Sequence, residues 1–148
     1  MFDPAFAKEI LANLPLNRHL GIAVEGASGE SGTCRLPERD ELKNHVGTQH
    51  AGALFTVGEA ASGACVLGAL GERIAAATPL AKKATIEYKK PASGPILATA
   101  KLVEPIASVL DRLESAGRTV FDVAVSLTDT SGLVVAEMNV SWHLRKNK

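Results

Sequence analysis

Glu59 is the only formally charged side chain between Lys43 and Glu72. Its surroundings, residues 49–70, read QHAGALFTVGEAASGACVLGAL. A carboxylate in so apolar and tightly packed a stretch is costly unless it is paired, reaches solvent at a gap, or is used in chemistry. At the start of the same stretch stands His50, with Asn44 and Gln49 close by. If the stretch is a helix, its N-terminus offers unpaired backbone N–H groups and the positive end of the macrodipole. Such groups polarise a carbonyl or stabilise an oxyanion. His50 could equally cap the helix, and Asn44 could equally make a turn.

Spacing limits how these residues can work together. His50 and Glu59 are nine positions apart. On a helix that turns them to opposite faces, roughly 13 Å apart along the axis. One chain cannot readily bring both to one substrate, but two chains related by a two-fold axis can, each giving half of a shared site. If both residues are catalytic, the expected unit is a dimer with two sites.

Other chemistries have less support. No G-x-S-x-G occurs, and Ser62 falls inside the helix rather than on a strand-to-helix elbow. No H-E-x-x-H occurs and the four histidines are scattered, so neither a metal nor a cofactor is expected. The glycines Gly47 and Gly52 lack the G-K-[ST] ending of a phosphate loop. The pairs Lys82–Lys83 and Lys89–Lys90 could meet a phosphate-bearing ligand, or could be ordinary solvated strand residues. Cys34 and Cys65 form no C-x-x-C pair, which leaves a zinc or thioredoxin-type site unsupported and a single disulfide open.

The frame that must position these residues is modest in size. A chain of 148 residues suits one domain, 1–148, with a sizeable core. Sixteen basic and sixteen acidic side chains cancel, so the basic excess of a nucleic-acid binder is missing and self-repulsion does not oppose association. Asp3, Pro4 and the lack of a long apolar run near the start argue against a signal peptide. Glu59 and the abundance of Gly and Ala argue against residues 49–71 as a membrane span. The expectation is a cytoplasmic protein that binds neither nucleic acid nor membrane.

Asp3 as N-cap and Pro4 at the first position predict a helix over 3–14, with Phe6, Ile10, Leu11 and Leu14 on one face and Pro15 as its stop. Strands are predicted near 21–25 and 32–36 around a G-A-S-G-E-S-G turn, followed by a polar loop over 37–48. The central helix should span about 50–70. Its glycines, Gly52, Gly58, Gly63 and Gly68, would each cost roughly 1 kcal/mol against Ala in isolation, so neighbouring elements must approach it closely. Beyond it the period becomes two, predicting strands over 84–90, 96–102, 121–127 and 134–143, with a short helix over 106–116 ended by Gly117 and a hairpin turn at 129–132. This order is an α+β architecture.

The stretch from Asn44 to Glu59, NHVGTQHAGALFTVGE, resembles the signature of hotdog-fold acyl-CoA thioesterases, especially the phenylacetate-pathway type and its relatives. That signature has an Asn or Gln, a His six residues on, a small residue and a Gly, and an acid nine after the His. Asn44, His50, Ala51, Gly52 and Glu59 keep these spacings. The resemblance implies a hotdog fold, in which a curved antiparallel β-sheet wraps a long central α-helix. It also implies hydrolysis of an acyl-CoA by a homodimer, paired further into a homotetramer. Glu59 would be the nucleophile or general base. The Ala51 N–H would polarise the thioester carbonyl from the partner chain, with Gly52 beside it, and His50 and Asn44 would orient the thioester or the attacking water. Ala51 departs from the usual glycine but keeps the N–H. A hydroxyl often found before the Tyr-x-x-Pro strand has no counterpart at Ala81, and Thr78 and Ser62 are the candidate substitutes. Lys82, Lys83, Lys89 and Lys90 are the candidates for the CoA phosphates. A non-catalytic acyl-CoA-binding hotdog protein is the alternative. A dehydratase or isomerase acting on acyl-carrier-protein substrates ranks behind it, because that class places its His and acid differently.

Overall fold

In the computed structural model, which describes residues 3–148, the first described residue is a helix cap. Oδ1 of Asp3 accepts the Ala5 N–H at 2.9 Å and starts helix α1 (Pro4–Ala12). The helix expected over 3–14 is in fact two. Pro15, expected only as a stop, takes the first position of α2 (Pro15–Leu20), where its missing N–H costs nothing. The buried face also differs from expectation. Ala7 and Leu11 pack inward, while Phe6, Ile10 and Leu14 stay exposed.

Strands β1 (Ala23–Ser28) and β2 (Ser31–Leu36) form a hairpin turned by Gly29 and Glu30 alone. Most of the glycine-rich run expected as a turn is therefore strand, with an irregularity between Val24 and Gly26 that leaves Glu25 without a register partner. A polar connection with one 3-10 turn, Asp40–Leu42, leads to α3 (Ala51–Leu70). There follow β3 (Ala77–Tyr88), β4 (Ile96–Leu102), α4 (Ile106–Ala116), β5 (Arg118–Thr128) and β6 (Val134–Lys146). Gly117, at φ 76°, ends α4 as expected. The six strands make one antiparallel sheet in the order β1-β2-β4-β5-β6-β3.

β3 starts at Ala77, well before the alternation at 84–90 announces it, and stops at Tyr88. Two features hide its first half. A bulge between Ala81 and Lys83 breaks the period of two, and Pro79 is tolerated because β3 is an edge strand.

The sheet's inner face is apolar and closes on α3. Phe121, Val123, Val125 and Leu127 of β5 and Met138, Val140, Trp142 and Leu144 of β6 share one buried cluster with Val57, Ala61, Ala64 and Leu70 of the helix. α3 is long and apolar enough to cross a bilayer, yet most of it is buried inside the protein's own sheet. Close wrapping requires small residues on both sides. A Cβ on Gly32 of β2 would lie 2.4 Å from the Cys65 nitrogen and 2.5 Å from the Ala61 carbonyl oxygen, and one on Gly68 would lie 2.7 Å from the Ser28 nitrogen. β1, β2 and β4 form most of the wrap, whereas β3 and β6 touch α3 much less. Along the less covered side, exposed Gly52 is followed by half-buried Phe55, Thr56 and Glu59.

Candidate active site

His50 has extended backbone angles (φ −64°, ψ 138°) and is the N-cap of α3. Its Nδ1 accepts the Gly52 N–H at 2.8 Å. A nitrogen that accepts carries no proton, so while this cap is made the ring's N–H is at Nε2. A Cβ on Gly52 would sit 3.1 Å from that Nδ1, so the glycine leaves room for the ring to fold back over the turn. With the Gly52 N–H occupied, the Ala51 N–H stands at the first helical position, where no intrahelical carbonyl can meet it. Ala51 is exposed, as are His50 and Gly52.

Three connections hold this helix end. The His50 N–H donates to the Leu42 carbonyl and the Gln49 N–H to the Ala92 carbonyl, both at 2.8 Å. The buried Gln49 side chain donates to the carbonyls of Pro37 and Gly94, each at 3.0 Å. Asn44 folds its own loop. Its Oδ1 accepts the N–H groups of Val46 (3.1 Å) and Thr48 (3.0 Å), and its Nδ2 donates to the Thr48 hydroxyl at 2.8 Å. The plain roles weighed for His50 and Asn44, cap and turn, are thus both filled in the single chain.

A cavity of about 330 Å³ opens beside this end, and Asn44, Ala51, Leu54, Tyr88, Lys89 and Lys90 are among its lining residues. Tyr88 is the residue sequence reasoning missed as a site residue. Its hydroxyl donates to the Ala51 carbonyl at 3.0 Å and ties the end of β3 to the first turn of α3. The available signal was an aromatic side chain with a polar tip at the end of an alternating strand.

Glu59 lies elsewhere. It is half-buried on the less covered side of α3, and burial holds its carboxyl above the ordinary carboxylate range. Among the described residues its carboxylate has neither an ion pair nor a side-chain hydrogen bond. It lies eight positions from Ala51, about 12 Å of helix rise. The single chain keeps the acid and the helix N-terminus apart, as their spacing requires.

The remaining candidates scatter. Ser62 is fully buried, donating to the Glu59 carbonyl at 2.7 Å and accepting the Trp142 indole N–H at 3.2 Å, so it braces the turn that carries Glu59. Thr78 sits at the opposite end of β3 from Tyr88 and donates to Asn147 at 2.6 Å. Lys89 pairs with Glu137 at 3.5 Å and with Glu87 at 3.9 Å. Lys82 lines a different cavity, with Arg118 and His143. The two cysteines are free and buried, and desolvation pushes each thiol up to about 12, which leaves both inert at neutral pH. Among the described residues no group of three His, Cys, Asp or Glu side chains could hold a metal ion.

The capping role of His50 has a measurable consequence. Losing an N-cap acceptor costs about 1 kcal/mol, whereas Asn supplies one in place of the imidazole. Thermal unfolding of His50→Ala should therefore begin at a lower temperature than that of His50→Asn. Equal melting of the two variants would contradict the cap.

Residues 4–144 match the family described as "Domain of unknown function (DUF4442)". No curated protein matches the chain. Solved structures do. A Pseudomonas aeruginosa protein of unknown function, described as a probable thioesterase, is 27% identical over 98% of this chain and 97% of its own, with a TM-score of 0.87. A thioesterase family protein from Silicibacter pomeroyi is 19% identical over 98% of this chain and 100% of its own, with a TM-score of 0.79. The PaaI protein of the Escherichia coli phenylacetic acid degradation operon is 15% identical over 95% and 92%, with a TM-score of 0.74.

Proposed function

The chain belongs to the DUF4442 family and has the hotdog fold of its thioesterase-family neighbours, and from that premise we propose that it is a thioesterase hydrolysing acyl-CoA at sites shared between two copies. The observation that carries this reading is Glu59. It is a half-buried carboxylate without a partner among the described residues, held above its usual pKa on the open side of an otherwise apolar helix. A purely structural carboxylate in that position would be expected to have found a cation or a set of donors. The description of the Pseudomonas relative as a probable thioesterase adds to it.

A thioester carbonyl is already electrophilic, so the chemistry needs little help. In this reading the Ala51 N–H of one copy, at the positive end of its helix, polarises the carbonyl oxygen. Glu59 of the other copy either takes a proton from the attacking water or attacks the carbonyl itself, and both roles need it ionised. The carbon–sulfur bond then breaks and the CoA thiolate leaves; on the nucleophilic route water then hydrolyses the acyl–Glu59 anhydride and frees the acid. His50, whose Nε2–H points away from its cap, and Asn44 orient the reacting groups. Lys89 and Lys90, at the cavity, suit a phosphate-bearing leaving group that stays near the surface, because burying phosphates would be expensive.

The strand that would join two copies is β3. It is a twelve-residue edge strand, exposed over most of its length, with Leu80 62% exposed. The other edge, β1, has six residues and an irregularity that blunts it. Past its bulge β3 runs in regular register over residues 83–88, an edge that can take another strand, and β3 pairing with its own copy about a two-fold would continue the sheet. That pairing would turn the open side of one α3 towards the N-terminus of the other. A further pairing of dimers into a tetramer rests on the family resemblance.

Incubation with acyl-CoAs from acetyl through long-chain to aryl, with thiol release recorded, tests the activity. Hydrolysis of at least one class is expected. Tight binding without thiol release from any of them would favour a non-catalytic acyl-CoA-binding protein instead.

A further inference from the structure

Positive side chains converge on the outer face of the sheet, away from α3. Thr119, Phe121, Trp142 and Leu144 are buried, so Arg118, Val120, His143 and Arg145, which alternate with them, face outward. Val120, His143 and Leu80 lie side by side across β5, β6 and β3, and Arg118, Arg145 and Thr78 form the next row. A cavity of about 390 Å³ is lined here by Lys82, Arg118, Thr119, Val120 and His143. Lys82 is the extra residue of the bulge between Ala81 and Lys83. Bulges commonly serve to re-aim a side chain.

The charge here is uncompensated. Among the described residues Lys82, Arg118, His143 and Arg145 make no side-chain hydrogen bond and no ion pair. The acid nearest in register is Asp122, opposite Ser141, and its Oδ1 accepts the Ser141 hydroxyl at 2.6 Å. Lys83 stands opposite Ser141 on the other side. Arg118 and Arg145 are direct cross-strand partners, and like charges so placed destabilise strand pairing. In a chain of zero formal net charge this concentration is not part of a general basicity.

We propose that this concavity binds a phosphate group, as a phosphate monoester or a diphosphate, through Arg118 and Lys82, with His143 as a further donor. A guanidinium fork matches two phosphate oxygens at once, and an ammonium adds a mobile point charge. Two sources carry this chemistry: the nucleotide end of a CoA thioester, held here instead of at Lys89 and Lys90, and a free phosphate compound. The binding itself does not depend on the thioesterase reading.

Calorimetric titration of the full chain with adenosine 3',5'-bisphosphate and with inorganic pyrophosphate tests the site. The protein should bind at least one of them, more weakly as salt rises. Arg118→Gln combined with Lys82→Gln should weaken that binding tenfold or more without lowering the melting temperature. Lys82→Gln alone keeps the test available if the double variant does not fold. If the phosphate is the nucleotide end of the substrate, the double variant also raises KM for acyl-CoA and not for acyl-pantetheine. If it is a free compound, pyrophosphate binding is lost while both KM values hold. Absence of binding to either probe in the wild type, or undiminished binding in the variants, would overturn the proposal. Because these titrations need no hydrolysis, their failure is separate from a failure of the thioesterase reading.

Discussion

Glu59→Gln is expected to slow thioester hydrolysis by roughly 10²–10⁴-fold for a lost general base, and by more for a lost nucleophile. The substitution keeps the side-chain volume, so the helix and its packing should survive. Among the described residues Glu59 forms no ion pair whose loss would unfold the protein. Its raised pKa gives the effect a pH signature. Hydrolysis by the wild type should rise with pH as Glu59 ionises through its elevated folded-state pKa. Stability should move the other way. Below the unfolded-state pKa both states hold the proton and the buried acid costs little. As pH rises, the unfolded chain releases the proton first, and stability is lost until the folded-state pKa is passed. Glu59→Gln removes that loss. The variant should therefore be more resistant to urea than the wild type near neutral pH, with the difference closing in acid. Near-wild-type hydrolysis would remove Glu59 from the chemistry, and a variant less stable at neutral pH would mean the carboxylate has a structural partner.

Ala51→Pro should have the second largest effect, on kcat and with the helix intact. Proline is tolerated at the first position of a helix because the N–H it lacks has no intrahelical acceptor. The residue before a proline prefers an extended backbone, and His50 already has one, at ψ 138°. The substitution thus deletes the N–H proposed to polarise the thioester carbonyl and little else. Removing one such donor costs roughly 10²–10³-fold in kcat. Ala51→Gly, which keeps the N–H, is the control and should stay within a few-fold of the wild type. Circular dichroism on both variants separates a lost donor from a lost helix. An Ala51→Pro enzyme that folds and turns over normally would show that the helix N-terminus does not hold the oxyanion.

Much of the frame was legible because it rests on local rules. The small-residue run of α3, the left-handed Gly117 after α4 and the alternation of Phe121, Val123, Val125 and Leu127 each carry their signal within a few residues. The misses have equally local causes. At Pro15 the same residue that ends one helix is well suited to begin another. In β3 the bulge at Lys82 and the exposure of an edge erased the period that marks a strand. The candidate site was legible in part. Glu59 and the start of α3 could be singled out from charge and spacing alone, and their separation along the helix follows from nine residues of geometry. The bond from Tyr88 to Ala51 and the meeting of Lys82 with Arg118 and His143 were not legible, because they join positions distant in sequence through strand pairing. Sequence periodicity reports which face a residue takes, not which residue lies across from it.

The shared site is tested most directly by mixing two inactive chains. Glu59→Gln lacks the acid and Ala51→Pro lacks the helix donor, so each homodimer should be nearly dead. Co-refolded in equal amounts, half of the dimers are mixed, and each mixed dimer rebuilds one intact site of its two while the other carries both defects. The mixture should therefore recover about a quarter of the wild-type thioesterase activity if each site draws on two copies. Activity no higher than that of the two variants measured apart, although light scattering shows that the chains have exchanged, would contradict a site shared across the two-fold.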